Sequence, residues 1–202
     1  MPSSVNADPI AEFVVFAVLV CWFLFALAFI VRKPPPKATV MKRSSHAMIG
    51  IALQVVAYFL VWFRPLQRRL YSPLLPMPRW VEVAIGVVTL VVAVGSIWLA
   101  RSAVRRLGKQ WAVAAQLVEG HNLITDGPYR IVRNPIYSGM FGMLIATGLA
   151  ASRWNILLVA ILIFLIGAYI RIQSEERLLR EAFGSEYEEY AQRVPALIPG
   201  IY

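Results

Sequence analysis

Residues 10–31 read IAEFVVFAVLVCWFLFALAFIV, an apolar run broken by one charge, Glu12. Wound as a helix at 1.5 Å per residue, such a run reaches about 33 Å, enough to cross the ~30 Å hydrocarbon core of a bilayer. A cleavable leader is the rival reading, because Ala26-Leu27-Ala28 has the small-residue character of a cleavage site. Against it, the start of the run carries Asp8 and Glu12 and no Lys or Arg, the reverse of a leader's basic opening. The stretch is therefore read as a first transmembrane helix. Composition agrees: 59% of residues are hydrophobic and 15% charged, against about 45–50% and about 25% in soluble domains. There is too little polar surface for water to be the only solvent. The lone Cys21 excludes an intramolecular disulfide and any multi-cysteine zinc site.

Working outward, residues 47–63, 80–100, 138–151 and 154–170 supply further apolar stretches. The last two are separated only by Ser152 and Arg153, which predicts a tight helical hairpin, with Gly139, Gly142 and Gly148 allowing close approach. The fold class expected is an all-α integral membrane protein of about five transmembrane helices, ending in a cytoplasmic C-terminal helix. It forms a single membrane domain over residues 1–202, with three spans in residues 1–100 and the chemistry in residues 101–202. The loop carrying Arg32, Lys33, Lys37, Lys42 and Arg43 holds no acid and is assigned to the cytoplasm, which puts the N-terminus outside and residues 101–134 inside. Arg64, Arg68, Arg69 and Arg79 conflict with that topology, and two basic loops outvote one. The net charge of +9 is assigned to insertion and anionic lipid, not to nucleic acid, since no aromatic-basic recognition module is present.

Two polar regions interrupt the apolar pattern. The first runs from His121 through Asp126-Gly127-Pro128-Tyr129 to Arg133-Asn134-Pro135-Ile136-Tyr137, with turn signals at Asp-Gly-Pro and Asn-Pro. The second continues the fifth stretch through Arg171, Glu175, Glu176 and Arg180 without Gly or Pro. Helical spacing puts Arg171 and Glu175 on one face, predicted to meet packed protein. Glu176, about 100° further round, is expected to make a solvated pair with Arg180. Singly, each residue has an ordinary explanation. Arg171 can anchor at an interface, His121 can be a structural histidine, Tyr129 and Tyr137 fit an aromatic belt, and Asn134 a helix cap.

Taken in order, His121 to Thr125, Gly127 to Tyr129, Arg133 to Gly139, the hairpin, Glu175-Glu176 and the closing Phe183-Gly184, Tyr187, Tyr190, Val194-Pro195 and Ile198-Pro199 resemble the isoprenylcysteine carboxyl methyltransferase family. The resemblance covers about residues 110–202. It implies an S-adenosyl-L-methionine site lined by Gln116, His121, Asn122, Leu123, Ile124, Tyr129, Asn134, Pro135, Ile136, Tyr137 and Glu175. Arg171 would be the catalytic, substrate-contacting residue, and the acceptor a lipophilic or lipidated molecule drawn from membrane lipid, with no metal. Asn134 departs from the histidine of the eukaryotic enzymes resembled. Its amide retains a donor for a cofactor carboxylate while losing any proton-transfer role.

The chemistry suits so few polar groups. A sulfonium methyl is already activated, and alignment with exclusion of water supplies much of the acceleration. Carboxyl O-methylation is the expected reaction, with phospholipid or small-thiol methylation as the alternative acceptor classes. An NADPH-dependent sterol-type reductase is a further alternative, on the likeness of residues 194–202.

Overall fold

The computed structural model describes residues 8–30, 40–43, 47–63, 78–110, 116–118 and 122–201. Six helices occupy most of them: α1 (Pro9–Ile30), α2 (Ala47–Trp62), α3 (Arg79–Leu107), α4 (Pro135–Ala151), α5 (Trp154–Phe183) and α6 (Ser185–Arg193). All five apolar stretches are helical over their described residues, apart from Phe63. One departure from an all-α chain is a small antiparallel ladder of β1 (Val40–Arg43) with β2 (Gln116–Val118). By length and apolarity α1, α3 and α5 are long enough to cross a membrane, whereas α2 and α4 are shorter apolar helices.

Helix ends follow local chemistry. Pro135 opens α4 three residues before the apolar stretch begins, since its fixed φ and missing N–H suit a first turn. α5 runs on past residue 170 because nothing in its polar continuation breaks a helix. It stops at Gly184, whose φ of 51° disfavours a side chain. Gly108, at φ 54°, ends α3 in the same way.

Beside buried Phe164, Met143 and Leu144, much of the interior is made of small residues, and many large apolar side chains face outward. Ala93, Ala100, Ala146, Ala160 and Ala168 are buried, while Phe16, Phe23, Val91, Leu158 and Leu162 are exposed. Small residues permit close helix approach where lipid, rather than water, is the competing solvent. At Gly139 and Gly142, α4 lies directly on Ser96 and Ala100 of α3. α2 crosses α5 at Gly50 and Gly167, each glycine facing the other's carbonyl. Contacts of Gly50 with Arg171, Leu53 with Gly167 and Tyr58 with Phe164 run in opposite sequence directions, so these helices are antiparallel. The same reasoning makes α3 antiparallel to α4, and the two-residue turn at Ser152 and Arg153 reverses the chain into α5. The C-terminal ends of α3 and α5 and the N-terminus of α4 therefore meet at one end of the bundle.

Candidate active site

At that shared end, residues 122–134 form an irregular bridge into α4. Gly127 at φ 59° starts a short 3-10 turn, Gly127–Arg130, that buries Pro128 and Tyr129. The Tyr129 carbonyl accepts from Tyr190 Oη at 2.7 Å, which ties the bridge to α6. Burial pushes the Tyr129 phenol up, with the Glu175 carboxylate adding to the effect. Tyr187 is raised by burial and then by Glu176. Both phenols remain neutral donors near pH 7.

Arg133 is the centre of the clamp that holds this end together. Its Nε donates to Glu176 Oε1 at 3.0 Å, and Nη1 donates to the carbonyls of Ala191, at 2.7 Å, and Val194. Its backbone N–H reaches the Pro195 carbonyl at 2.8 Å, and that of Asn134 reaches Ala196 at 3.1 Å. Ser138 Oγ donates to the Leu197 carbonyl. Residues 194–197 thus lie as a strap along the start of α4, held mainly through backbone groups.

Glu176 is the buried member of the glutamate pair, which corrects the expectation of a solvated contact. It is 2% exposed and accepts from Arg133 as well as from Arg180, whose Nη2 lies 3.2 Å from Oε2. The i,i+4 pairing with Arg180 is present, but Arg133, 43 positions away in sequence, draws the carboxylate inward. The Asn134 amide nitrogen faces the Ala196 carbonyl at 3.0 Å and Glu176 at 3.4 Å, so both of its donors are directed at the protein.

Glu175 lies on the neighbouring face, and its side chain retains 29% exposure. It accepts a hydrogen bond from Tyr137 Oη and lies 3.9 Å from Arg171 Nη2. Arg171 itself is buried. Its guanidinium sits 4.8 Å from the centroid of the Tyr137 ring and donates through Nη1 to Gln54 Oε1 on α2 at 3.0 Å. It is therefore tucked among α2, α4 and α5 and does not extend to an interface as a simple anchor would. Tyr137, Glu175 and Arg171 form one cluster, and Tyr129 is near enough for the Glu175 charge to act on it. Pro135 is buried at the start of α4 and Ile136 half-buried beside it. Leu123 packs against the cluster of Tyr187, Tyr190 and Val194, Ile124 is half-buried, and Asn122 is exposed with its backbone N–H on Gln110 Oε1. His121 lies outside the described residues, as does the side chain of Gln116. Among the described residues no three of His, Cys, Asp or Glu converge as a metal site requires.

Residues 81–186, just over half of the chain, match the sequence profile of the phospholipid methyltransferase family. The chain belongs to that family. The match begins in α3 and ends in α6, so it contains Arg133, Tyr137, Arg171, Glu175 and Glu176 but neither α2 nor the strap. The chain is 38% identical over 82 residues to protein-S-isoprenylcysteine O-methyltransferase B of Arabidopsis thaliana, covering 40% of this chain and 41% of that protein. It is 34% identical over 104 residues to protein-S-isoprenylcysteine O-methyltransferase of Schizosaccharomyces pombe, covering 50% and 44% respectively. It is also 34% identical over 97 residues to the cobalt-zinc-cadmium resistance protein CzcN of Cupriavidus metallidurans, covering 46% and 43%. In each case less than half of the relative's length is spanned.

Three residues of this region carry more than sequence reasoning gave them. Glu176 had a local, solvated explanation that its long-range pairing overrides, and Arg133 was read only as part of the Arg133–Gly139 motif. Gln54 lay unremarked inside an apolar stretch, although an amide at that depth is itself a signal.

Proposed function

We propose that this chain is a multi-pass membrane enzyme that transfers a methyl group from S-adenosyl-L-methionine to a carboxylate on a lipophilic, isoprenylcysteine-like acceptor. The observation that carries the reading is the Arg171–Tyr137–Glu175 cluster: a buried guanidinium and a part-exposed carboxylate, one helical turn apart at one end of the bundle. The names of the plant and yeast relatives support the same acceptor class.

The residues present fit the cofactor in one respect that bears on its chemistry. Glu175 keeps an accessible carboxylate suited to ammonium or hydroxyl donors, while the amide donors of Asn134 are directed at the protein. Residues 122–124, Tyr129, Pro135, Ile136 and Tyr137 are assigned to the rest of that site, with His121 and Gln116. When bound, S-adenosylmethionine supplies a methyl carbon already activated by its sulfonium. Arg171 orients the acceptor carboxylate through its planar fork. Because Arg171 would hold the acceptor as an ionised carboxylate, methyl transfer to one of its oxygens with departure of the thioether would need no general base from this chain.

The whole of residues 1–202 is assigned to one membrane domain, with all five apolar helices inserted and the site, α6 and the strap at the cytoplasmic face. Exposed Arg101, Arg105, Arg130 and Arg177 gather at that end, in support of this orientation. At the other end Arg79 is matched by Asp8 at 2.6 Å and Glu82 at 3.5 Å, which removes part of the charge conflict. The family's description keeps phospholipid methylation as a second reading of the acceptor. Calorimetric titration of the purified protein with S-adenosylmethionine and, separately, NADPH tests the class. Saturable binding of the former alone is expected, and binding of NADPH alone would replace the methyltransferase reading with a reductase. Rates with an isoprenylcysteine and with phosphatidylethanolamine separate the two acceptors.

A further inference from the structure

Gln54 lies one helical turn beyond Gly50 in α2 and is 2% exposed. Arg171 Nη1 donates to its Oε1 at 3.0 Å. A guanidinium has donors only, so this contact fixes the amide with its oxygen toward Arg171 and its NH2 turned elsewhere. Nε2 is buried and finds no acceptor among the described residues. The hydroxyls and the indole nearest it in kind are satisfied. Thr89, Ser96 and Thr147 each donate to a carbonyl of their own helix, and Trp22 Nε1 donates to Thr147 Oγ1. An amide donor left unmet among apolar helices is costly, because lipid provides no substitute acceptor.

We propose that Gln54 is a specificity-determining residue whose Nε2–H donates to the carboxylate of the methyl acceptor, beside Arg171. The inference rests on the functional reading above. To the carboxylate acceptor of that reading it adds a recognition group on α2, outside the family match at residues 81–186. With one carboxylate oxygen held by Gln54 and Arg171, the other is left to attack the methyl carbon. Gly50 and Gly167 bring α2 and α5 close enough for residues of both helices to meet one small anionic group.

A rival role, in which Gln54 only steadies Arg171, gives a different result in one variant. Gln54→Glu keeps an oxygen for Arg171 but puts an anion where the donor was. The test measures initial rates of the full chain in detergent with S-adenosylmethionine and N-acetyl-S-farnesylcysteine, plus inhibition by the carboxamide counterpart of that acceptor. Gln54→Glu is expected to raise the acceptor KM about tenfold to a hundredfold, the range for losing one charge-assisted hydrogen bond. The KM for S-adenosylmethionine should change less than about twofold, and the carboxamide, able to donate to the new carboxylate, should gain on the acid. Native-like preference for the acid over the carboxamide overturns the inference and leaves the reaction class intact. Absence of methyl transfer to the isoprenylcysteine by the native protein, whether or not a phospholipid amine is methylated, sinks the carboxylate reading, and this inference with it. If Gln54→Glu shows no cooperative thermal transition, Gln54→Met takes its place. There the acid's advantage should shrink about tenfold, and an unchanged ratio of acid to carboxamide counts against the proposal.

Discussion

Substituting Glu176 by glutamine removes the negative charge that Arg133 and Arg180 share while nearly keeping its shape. Breaking a buried pair by neutralising one partner costs about 3–5 kcal/mol, because the other charge is left uncompensated. Glu176→Gln is therefore expected to lower the thermal unfolding midpoint in detergent substantially, with loss of activity following loss of the clamp. Glu175→Gln is expected to behave differently. Its part-exposed carboxylate contributes less to the fold, and removal of a charge-assisted hydrogen bond worth roughly 1.5–3 kcal/mol weakens S-adenosylmethionine binding about tenfold to a hundredfold. Melting and calorimetry on the two variants give opposite rank orders if this division is correct. Equal losses in both assays for both variants would refute it. Adjacent residues with different duties are separated here by what lies across from them, which spacing along one helix does not encode.

At the level of helices, Gly167 and Gly95 offer a matched comparison. A Cβ on Gly167 would lie 2.8 Å from the Gly50 carbonyl and 2.9 Å from Leu53 Cβ, whereas one on Gly95 meets nothing within 4 Å. Gly167→Ala should push α2 from α5 and destabilise by the roughly 1–3 kcal/mol typical of overpacking. Gly95→Ala should be neutral or stabilising by up to about 1 kcal/mol through helix propensity. Fluorescence-monitored melting of the two proteins checks the contrast. An equal response would mean that the close crossing is not needed for the fold. The five apolar helices and the hairpin at Ser152 and Arg153 were legible in the sequence because run length and hydropathy report on them directly. So was the shared face of Arg171 and Glu175, an i,i+4 relation. The continuation of α5 past residue 170 was legible as well, since no Gly or Pro interrupts it before Gly184, whereas the extension of α3 to Leu107 was not, because hydropathy falls there while helix propensity does not. The strap was invisible too: Arg133 grips the carbonyls of residues 191 and 194, and every residue type has a carbonyl. The Arg133–Glu176 pair depends on tertiary folding that brings residues 43 positions apart together.

For the molecule as a whole, the decisive question is which end faces which compartment. In a Cys21→Ser background, single cysteines at Arg130 and Glu188, both exposed at the site end, are expected to react with a membrane-impermeant maleimide only when the cytoplasmic face is accessible. A cysteine at exposed Arg153, in the turn between α4 and α5, should react only from the other side. Labelling of all three from one side would overturn both the topology and the assignment of α4 and α5 as inserted helices.

The 30 residues of α5 form one uninterrupted rod from Trp154 to Phe183, about 45 Å at 1.5 Å per residue, against a hydrocarbon core of about 30 Å. In the orientation proposed above the same rod crosses the bilayer and carries Arg171, Glu175 and Glu176, so the elevation of these groups is geared to the thickness of the surrounding lipid. Short-chain lipids would lift Glu175 toward the aqueous phase, and long-chain lipids would sink it or force the rod to lean. Turnover in vesicles of increasing acyl length should therefore pass through a maximum, at the thickness where a water-borne donor and a lipid-borne acceptor can both reach the same turn of one helix.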